Sequence, residues 1–316
     1  MIIPYAKINL NKKHTYGVLS LLFTNQKLFN HAKDPAVVKF LGKYFLYYTV
    51  KYTEENKIGI GIAASIDMEN WQDIGEVDMN MLCEKNGIGA PAAIVLDGRV
   101  HLFYQTYGNF ENDAICHAIS SNGTDFEKNP QNPVFRPDKT WCCGRAIDAD
   151  VCIFNNKLFL YFATRDHELK IQKVGVAYAD INSDFGRSSW KQPVCGAVVC
   201  PEMKWEGQCI EAPAAIVNNG EMFMFYGGSY NCTPQQIGCA KSSDGIFFGK
   251  IFKQPFIPCG KEGEWNSSES GHPYVFRDDD GRTYLFYQGS SDMGKSWYIS
   301  KVEIKFDEKN MPYILS

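Results

Sequence analysis

The sequence predicts an all-β fold, a five-bladed β-propeller of four-stranded antiparallel blades around a central axis, with all 316 residues in one domain. Three observations predict it. A six-residue string occurs twice, as Ala90-Pro91-Ala92-Ala93-Ile94-Val95 and as Ala212-Pro213-Ala214-Ala215-Ile216-Val217. Looser copies place five openings at 34, 89, 148, 211 and 272, giving steps of 55, 59, 63 and 61 residues, and self-similarity at a fixed period outranks any local reading. Each copy holds several short extended segments and no convincing helical periodicity. Radial repetition of such units leaves only short, protected sheet edges.

Each copy opens on an inner strand: Asp34-Pro35-Ala36-Val37-Val38, Gly89 to Val95, Asp148-Ala149-Asp150-Val151, Glu211 to Val217, and His272-Pro273-Tyr274-Val275-Phe276. Polar turns follow at Leu41-Gly42-Lys43, Asp97-Gly98, Asn155-Asn156, Asn218-Asn219-Gly220 and Asp280-Gly281, the chemistry of a tight hairpin. The second strands end in aromatic pairs, Tyr47-Tyr48, Phe103-Tyr104, Tyr161-Phe162, Phe225-Tyr226 and Phe286-Tyr287. Third segments alternate small and apolar residues, as in Gly59 to Ser65, Ile115 to Ser121, Gly175 to Ala179 and Ile237 to Ser243. A polar turn then leads to Trp71, Phe126, Phe185 or Phe247-Phe248 at the start of an outer strand. Trp297 to Ile304 supplies the third strand of blade five and Tyr313-Ile314-Leu315 its outer one. The apolar run Tyr16 to Phe23 is a candidate strand that completes the last blade.

The formal net charge of −4 and the lack of a dense basic run argue against nucleic acid and anionic membranes as partners and point to a small neutral molecule. Eleven cysteines without metal-type spacing read as mostly buried free thiols. With no signal-peptide pattern and no apolar run of membrane-spanning length, the chain reads as cytoplasmic.

In a propeller the inner strands surround the axis, so equivalent opening positions form a ring at one end of the channel. Here the ring is Asp34, Gly89, Asp148, Glu211 and His272. A lone Asp before Pro is ordinarily a turn residue, and a lone Glu at a strand start is ordinarily solvated. Three acids at one repeat position among small and apolar neighbours cost desolvation and mutual repulsion, which marks a site. Asp150 shares a strand face with Asp148 and competes with it; the register favours Asp148. His272 is either a satisfied core histidine or part of the site.

Asp34-Pro35, Ala146-Ile147-Asp148, Glu211-Ala212-Pro213 and Gly271-His272, in this order and spacing, resemble glycoside hydrolase family 43, whose members are five-bladed propellers. The resemblance covers nearly the whole chain. It implies an inverting glycosidase of the α-L-arabinofuranosidase or β-xylosidase kind, acting on a carbohydrate substrate. Asp34 is then general base, Asp148 the carboxylate that orients the acid and tunes its pKa, and Glu211 general acid. Ala149 and Ala212 depart from the Pro and Gly common at those positions, which bears on the subgroup. The chemistry is consistent on its own terms, since inversion needs a protonated acid and an ionised base about 6.5–9.5 Å apart with water between base and sugar. A carboxylate beside Glu211 would hold its proton near neutral pH.

Trp141, Trp205 and Trp265 stand on the loops entering blades three, four and five, where an indole either stacks on a sugar or plugs the gap between blades. Arg145 either donates to sugar hydroxyls or pairs with a carboxylate. The resemblance also implies a central calcium ion near the position of His272, although no metal cage is derivable from the residues and none is required for the chemistry. A retaining family 32-like fructosidase, a propeller-type phosphorylase and a non-catalytic sugar-binding propeller are the competing readings. The Asn-Asp-Pro-Asn and Arg-Asp-Pro strings typical of family 32 are absent.

Overall fold

The computed structural model describes residues 23–28, 30–52 and 57–315. It shows five antiparallel sheets in sequential order, the blades of a five-bladed propeller. Blade one is β1 (Lys33–Phe40), β2 (Lys43–Tyr52), β3 (Lys57–Ser65) and β4 (Gln72–Glu76); blade two is β5 (Ile88–Leu96), β6 (Arg99–Thr106), β7 (Ile115–Ser120) and β8 (Glu127–Lys128). Blade three has three strands, β9 (Ile147–Phe154), β10 (Lys157–Arg165) and β11 (Gln172–Asp180). Blade four is β12 (Ile210–Asn218), β13 (Glu221–Gly228), β14 (Gln236–Ser242) and β15 (Gly249–Lys250). Blade five is β16 (Glu269–Arg277), β17 (Thr283–Ser290), β18 (Tyr298–Phe306) and β19 (Pro312–Ile314).

Four of the inner hairpins close through two residues, Leu41-Gly42, Asp97-Gly98, Asn155-Asn156 and Asn219-Gly220, both with positive φ in each case. That is the type I′ geometry whose twist matches the flanking strands. The small residues of the third strands make room for the second-strand aromatics. Gly61 faces Tyr48 and Gly238 faces Tyr226, and a Cβ at either glycine would lie about 2.5 Å from the ring. Neighbouring blades are joined by buried hydroxyls: Tyr47 donates to the Gly123 carbonyl at 2.9 Å and Tyr161 to that of Gly245 at 2.7 Å.

The fourth strand expected after Phe185 does not form. Phe185 is buried against Phe103 and Trp190, and Arg187 pulls the following turn inward by donating to the carbonyls of Gln131, Asn132 and Pro133. Isolated bridges at Tyr178–Lys191 and Val174–Val199 take the place of an outer strand. Of the proposed N-terminal strand, Tyr16–Leu22 lie outside the described residues. Phe23 pairs with Ile299 of β18 through two backbone hydrogen bonds, so the chain just before blade one rests on blade five. Across the same junction Asp278 of blade five accepts from Lys39 and Tyr44 of blade one. All eleven cysteines are free; five are buried and Cys195 is exposed.

Blades two and four carry the same buried staple. A short 3-10 turn presents Glu84 to Lys128 Nζ at 3.1 Å and Tyr104 Oη at 2.6 Å, and its counterpart presents Glu206 to Lys250 Nζ at 2.6 Å and Tyr226 Oη at 2.8 Å. Removing one partner strands a charge in a low-dielectric interior. Lys250→Met is therefore expected to lower unfolding free energy by about 3–5 kcal/mol, read as a lower urea midpoint with an unchanged slope.

Candidate active site

Every inner strand carries one extra residue at its start. The pairing steps from Lys33–Thr49 to Ala36–Tyr47 in blade one, and equivalent shifts occur at Gly89/Ala92, Ile147/Asp150, Glu211/Ala214 and Gly271/Tyr274. The bulged residue has a left-handed backbone in all five blades: Asp34, Ala90, Asp148, Ala212 and His272, with φ between 42° and 53°. Non-glycine residues pay strain there, and bulges re-aim side chains. In four blades the bulged N–H is held by a side chain from the preceding blade. Asp34 donates to Gln288 Oε1 at 3.0 Å, Ala90 to Thr49 Oγ1 at 2.8 Å, Asp148 to Gln105 Oε1 at 2.8 Å and His272 to Gln235 Oε1 at 3.0 Å.

This corrects the expected register. Asp34, Asp148 and His272 share the bulge position, whereas Glu211 and Gly89 stand one residue earlier, level with Lys33. The acids nonetheless converge. Asp34, Asp148, Glu211, His272 and Arg145 all line one cavity of about 720 Å³ at the end of the propeller where the inner strands begin. Below it Tyr274 crosses the axis, donating its hydroxyl to the Ala93 carbonyl of the non-adjacent blade two at 2.7 Å.

The cavity holds carboxyls in opposite electrostatic settings. Burial opposes ionisation of Asp34, but His272, Lys33 and a hydrogen bond from Thr49 outweigh it and hold the group below the ordinary carboxylate range. His272 Nδ1 lies 3.0 Å from Asp34 Oδ1. Burial keeps the imidazole's own pKa low, against the pull of Asp34 and helped by Lys33. A proton on Nδ1 would make the imidazole a hydrogen-bond donor to this carboxylate. Lys33 Nζ stands 3.9 Å from the same oxygen and 4.5 Å over the Trp297 ring.

Asp148 and Glu211 are raised instead. For Asp148 the causes are burial, then the charges of Glu211 and Asp34, partly offset by Arg145 and Lys33. For Glu211 the cause is burial, partly offset by a hydrogen bond from Gln235 and by Lys33. Two buried acids that repel each other titrate as a unit and retain a proton between them. Glu211 is gripped on both oxygens: Gln235 Nε2 donates to Oε1 at 2.6 Å and Gln172 Nε2 donates to Oε2. Gln172 is in turn held by Arg165 Nε at 2.8 Å. Glu269, pushed up to about 7 by burial, lies behind Lys33 and accepts from Gln288.

Asp150 is not on the cavity wall; it accepts from the Ala215 backbone at 2.7 Å, ties blade three to four, and is pushed up to about 7 by burial. The three loop tryptophans miss the cavity as well. Each packs on its own blade, Trp141 on Phe162 and Gly175, Trp205 on Tyr226 and Gly228, Trp265 on Tyr287 and Gly289, because those glycines leave a flat surface for an indole. Sugar stacking does not describe them; each also packs against a core cluster that its blade shares with the preceding one, as the gap-plugging reading expected. The indole on the wall is Trp297. Arg145 reaches the wall with its Nε 3.8 Å from Asp113 and without a hydrogen bond.

Thr49, Gln105 and Gln288 each follow the aromatic pair that ends a second strand, a polar break in an apolar run that could have flagged them. Gln172 and Gln235, at the starts of third strands, carry no comparable signal. Gln235 is fully buried and serves Glu211, His272 and the Ser229 carbonyl together. Gln235→Ala should cost about 1–3 kcal/mol of stability for the groups left unpaired, seen by thermal or urea unfolding. Because its hydrogen bond lowers the Glu211 pKa, its loss should also move the basic limb of any pH–rate profile upward.

For the calcium ion that the resemblance implies, the side chains of the described residues supply no ready-made carboxylate or histidine cluster. Calcium takes six to eight oxygens; among the described residues no three His, Cys, Asp or Glu side chains converge to hold a metal, and His272 Nδ1 is spent on Asp34.

A profile of Glycosyl hydrolases family 43 matches residues 23–309. Over 125 residues the chain is 28% identical to a probable arabinan endo-1,5-alpha-L-arabinosidase A of Aspergillus clavatus, 39% of this chain and 37% of that protein, so it matches little more than a third of that relative's length. Among solved structures, a thermostable family-43 glycoside hydrolase superposes with a TM-score of 0.74 at 18% identity, over 93% of this chain and 96% of the other. An alpha-L-arabinofuranosidase from Lactobacillus brevis gives 0.68 at 17% identity, over 94% and 95%. Likeness at that identity speaks for the fold alone. The profile match takes in all five inner strands that build the cavity, and by it the chain belongs to glycosyl hydrolases family 43.

Proposed function

We propose that this glycoside hydrolase removes terminal arabinofuranosyl or xylosyl residues from plant-derived oligo- or polysaccharides with inversion at the anomeric carbon. Asp34 acts as general base, Glu211 as general acid, and Asp148 orients Glu211 and tunes its pKa. The observation that carries this reading is the division of charge in one cavity. The neighbours of Asp34 favour its ionised form, while burial favours a retained proton on Asp148 and Glu211, all three on the same cavity wall. An ionised base and a protonated acid at the same pH are what inversion requires.

In the proposed reaction Asp34 accepts a proton from water as the water oxygen bonds to the anomeric carbon. The glycosidic C–O bond breaks on the opposite face, and Glu211 gives its proton to the departing oxygen. Solvent then removes the proton from Asp34 and returns one to Glu211. His272 and Lys33 fix Asp34, and Gln172 and Gln235 fix Glu211, so both meet the sugar pre-oriented. The arabinosidase name of the relative matched over part of the chain supports the arabinofuranosyl alternative; the closed floor at Tyr274 supports a pocket for one terminal unit.

Nitrophenyl α-L-arabinofuranoside and β-D-xyloside, assayed with and without inorganic phosphate, test the reading. Release of nitrophenol from at least one without phosphate is expected. Inertness of both, with cleavage of sucrose or an absolute need for phosphate, would overturn it in favour of a fructosidase or a phosphorylase.

A further inference from the structure

The chain as a whole is acidic, with a net charge of −4, but its cavity is not. Five fixed cations line the wall, Lys33, Lys51, Arg145, Arg165 and Lys295, against the three carboxyls Asp34, Asp148 and Glu211. Lys33 is committed to Asp34 and the Trp297 ring. Among the described residues no carboxylate stands within ion-pair distance of Lys51, Arg165 or Lys295, and Arg145 keeps a buried Nε without a hydrogen bond beside Asp113. Cations that face a cavity and outnumber its carboxylates raise the local concentration of anions and reward a ligand that brings one.

The two arginines stand together. Ile147 pairs with Ala163, and the Cys143 N–H bonds the Arg165 carbonyl at 2.9 Å, which brackets Arg145 opposite Arg165 where β9 and β10 meet the cavity. Their position relative to the acid is fixed by a short relay: Arg165 Nε donates to Gln172, and Gln172 donates to Glu211. Arg165 also lies 5.5 Å over the Tyr230 ring, another wall residue. In the proposed reaction Glu211 protonates the departing oxygen, so what surrounds Glu211 surrounds the leaving group.

We propose that Arg145 and Arg165 form a leaving-group subsite for an acidic sugar, a uronic acid whose carboxylate the two guanidinium groups receive. The inference rests on the roles proposed for Glu211 and Asp34. A guanidinium fork matches a planar carboxylate with two parallel N–H bonds, which a sugar hydroxyl cannot replace. Lys51 and Lys295, at the same wall, extend the attracting field to the mouth. The proposal differs in part from the neutral partner expected from net charge: the residue removed is neutral, and the residue it leaves behind is not.

The test compares two disaccharides that carry the same terminal residue, the one whose nitrophenyl glycoside is turned over, on galacturonic acid or on galactose. The acidic substrate should be preferred by about 10- to 100-fold in kcat/KM at low ionic strength, mainly through KM, as charge-assisted hydrogen bonds predict. The preference should shrink with added sodium chloride and approach unity in an Arg145→Gln/Arg165→Gln variant. Equal rates on the two disaccharides in the unmodified enzyme, which needs no variant to fold, would overturn the subsite while leaving the hydrolase reading intact. So would a preference that survives in the variant. If the nitrophenyl glycosides were inert too, the proposed reaction itself would be at fault, and phosphate-dependent formation of a sugar 1-phosphate would assign the arginines to phosphate instead.

Discussion

Glu211→Ala is expected to cut hydrolysis of natural linkages by about 10²- to 10⁴-fold, the usual worth of general acid assistance and about 3–5 kcal/mol of barrier, while sparing nitrophenyl glycosides. A nitrophenolate leaves with little help, whereas a sugar alkoxide needs the proton. Asp34→Ala should lose a comparable factor on both substrate classes, because water must be activated whatever departs. The contrast reads the roles rather than mere damage, since both side chains line the same cavity. An equal loss on both classes for Glu211→Ala would take the acid role from Glu211.

Asp148→Asn is expected to move the basic limb of the pH–rate profile to lower pH and to reduce the rate at neutral pH. The sign follows from the coupling. Burial and the Glu211 charge raise Asp148, and the same repulsion acts on Glu211, so the pair keeps a proton that either alone would give up sooner. With an uncharged amide at 148, Glu211 keeps its burial and the Asp34 charge to raise it, against Gln235, Lys33 and Cys209, which lower it. The acidic limb, set by Asp34 below the ordinary carboxylate range, should shift less. A basic limb that stays in place or rises would show that Asp148 does not hold the proton on Glu211. Gln235→Ala, which moves the same limb upward, is the internal control.

The blades were legible because hairpin chemistry and strand alternation are local. Asp97-Gly98 and Asn219-Gly220 adopt positive φ for reasons contained in those residues, and the small third-strand residues announce the aromatics they face. The register at the site was legible only to within one residue. Aligning the copies on their acids put Glu211 level with Asp34 and Asp148, whereas aligning them on Pro35, Pro91, Pro213 and Pro273 would have found the bulge and placed Lys33 level with Glu211. A bulge leaves no residue of fixed type, and here even Ala90 and Ala212 take the left-handed turn.

What escaped the sequence depends on contacts between blades. Gln105 matters because it holds the bulge of the next blade, and Gln172 because it grips an acid 39 positions later. The place of Trp141, Trp205 and Trp265 on entry loops left sugar stacking and gap plugging both open, and the contacts with Gly175, Gly228 and Gly289 that take them off the cavity wall are visible only in the fold. Net charge averages over a surface and does not report the wall of one cavity, where Lys33, Lys51, Arg145, Arg165 and Lys295 outnumber the carboxyls.

The most direct measurement is the anomeric configuration of the sugar at the moment of release, followed by proton NMR of an arabinofuranoside or xyloside digest before mutarotation. A water activated by Asp34 on the face opposite Glu211 gives a first product with the configuration inverted relative to the substrate. A first product that retains it would require a nucleophile on the enzyme and would contradict the assignment of Asp34 as base.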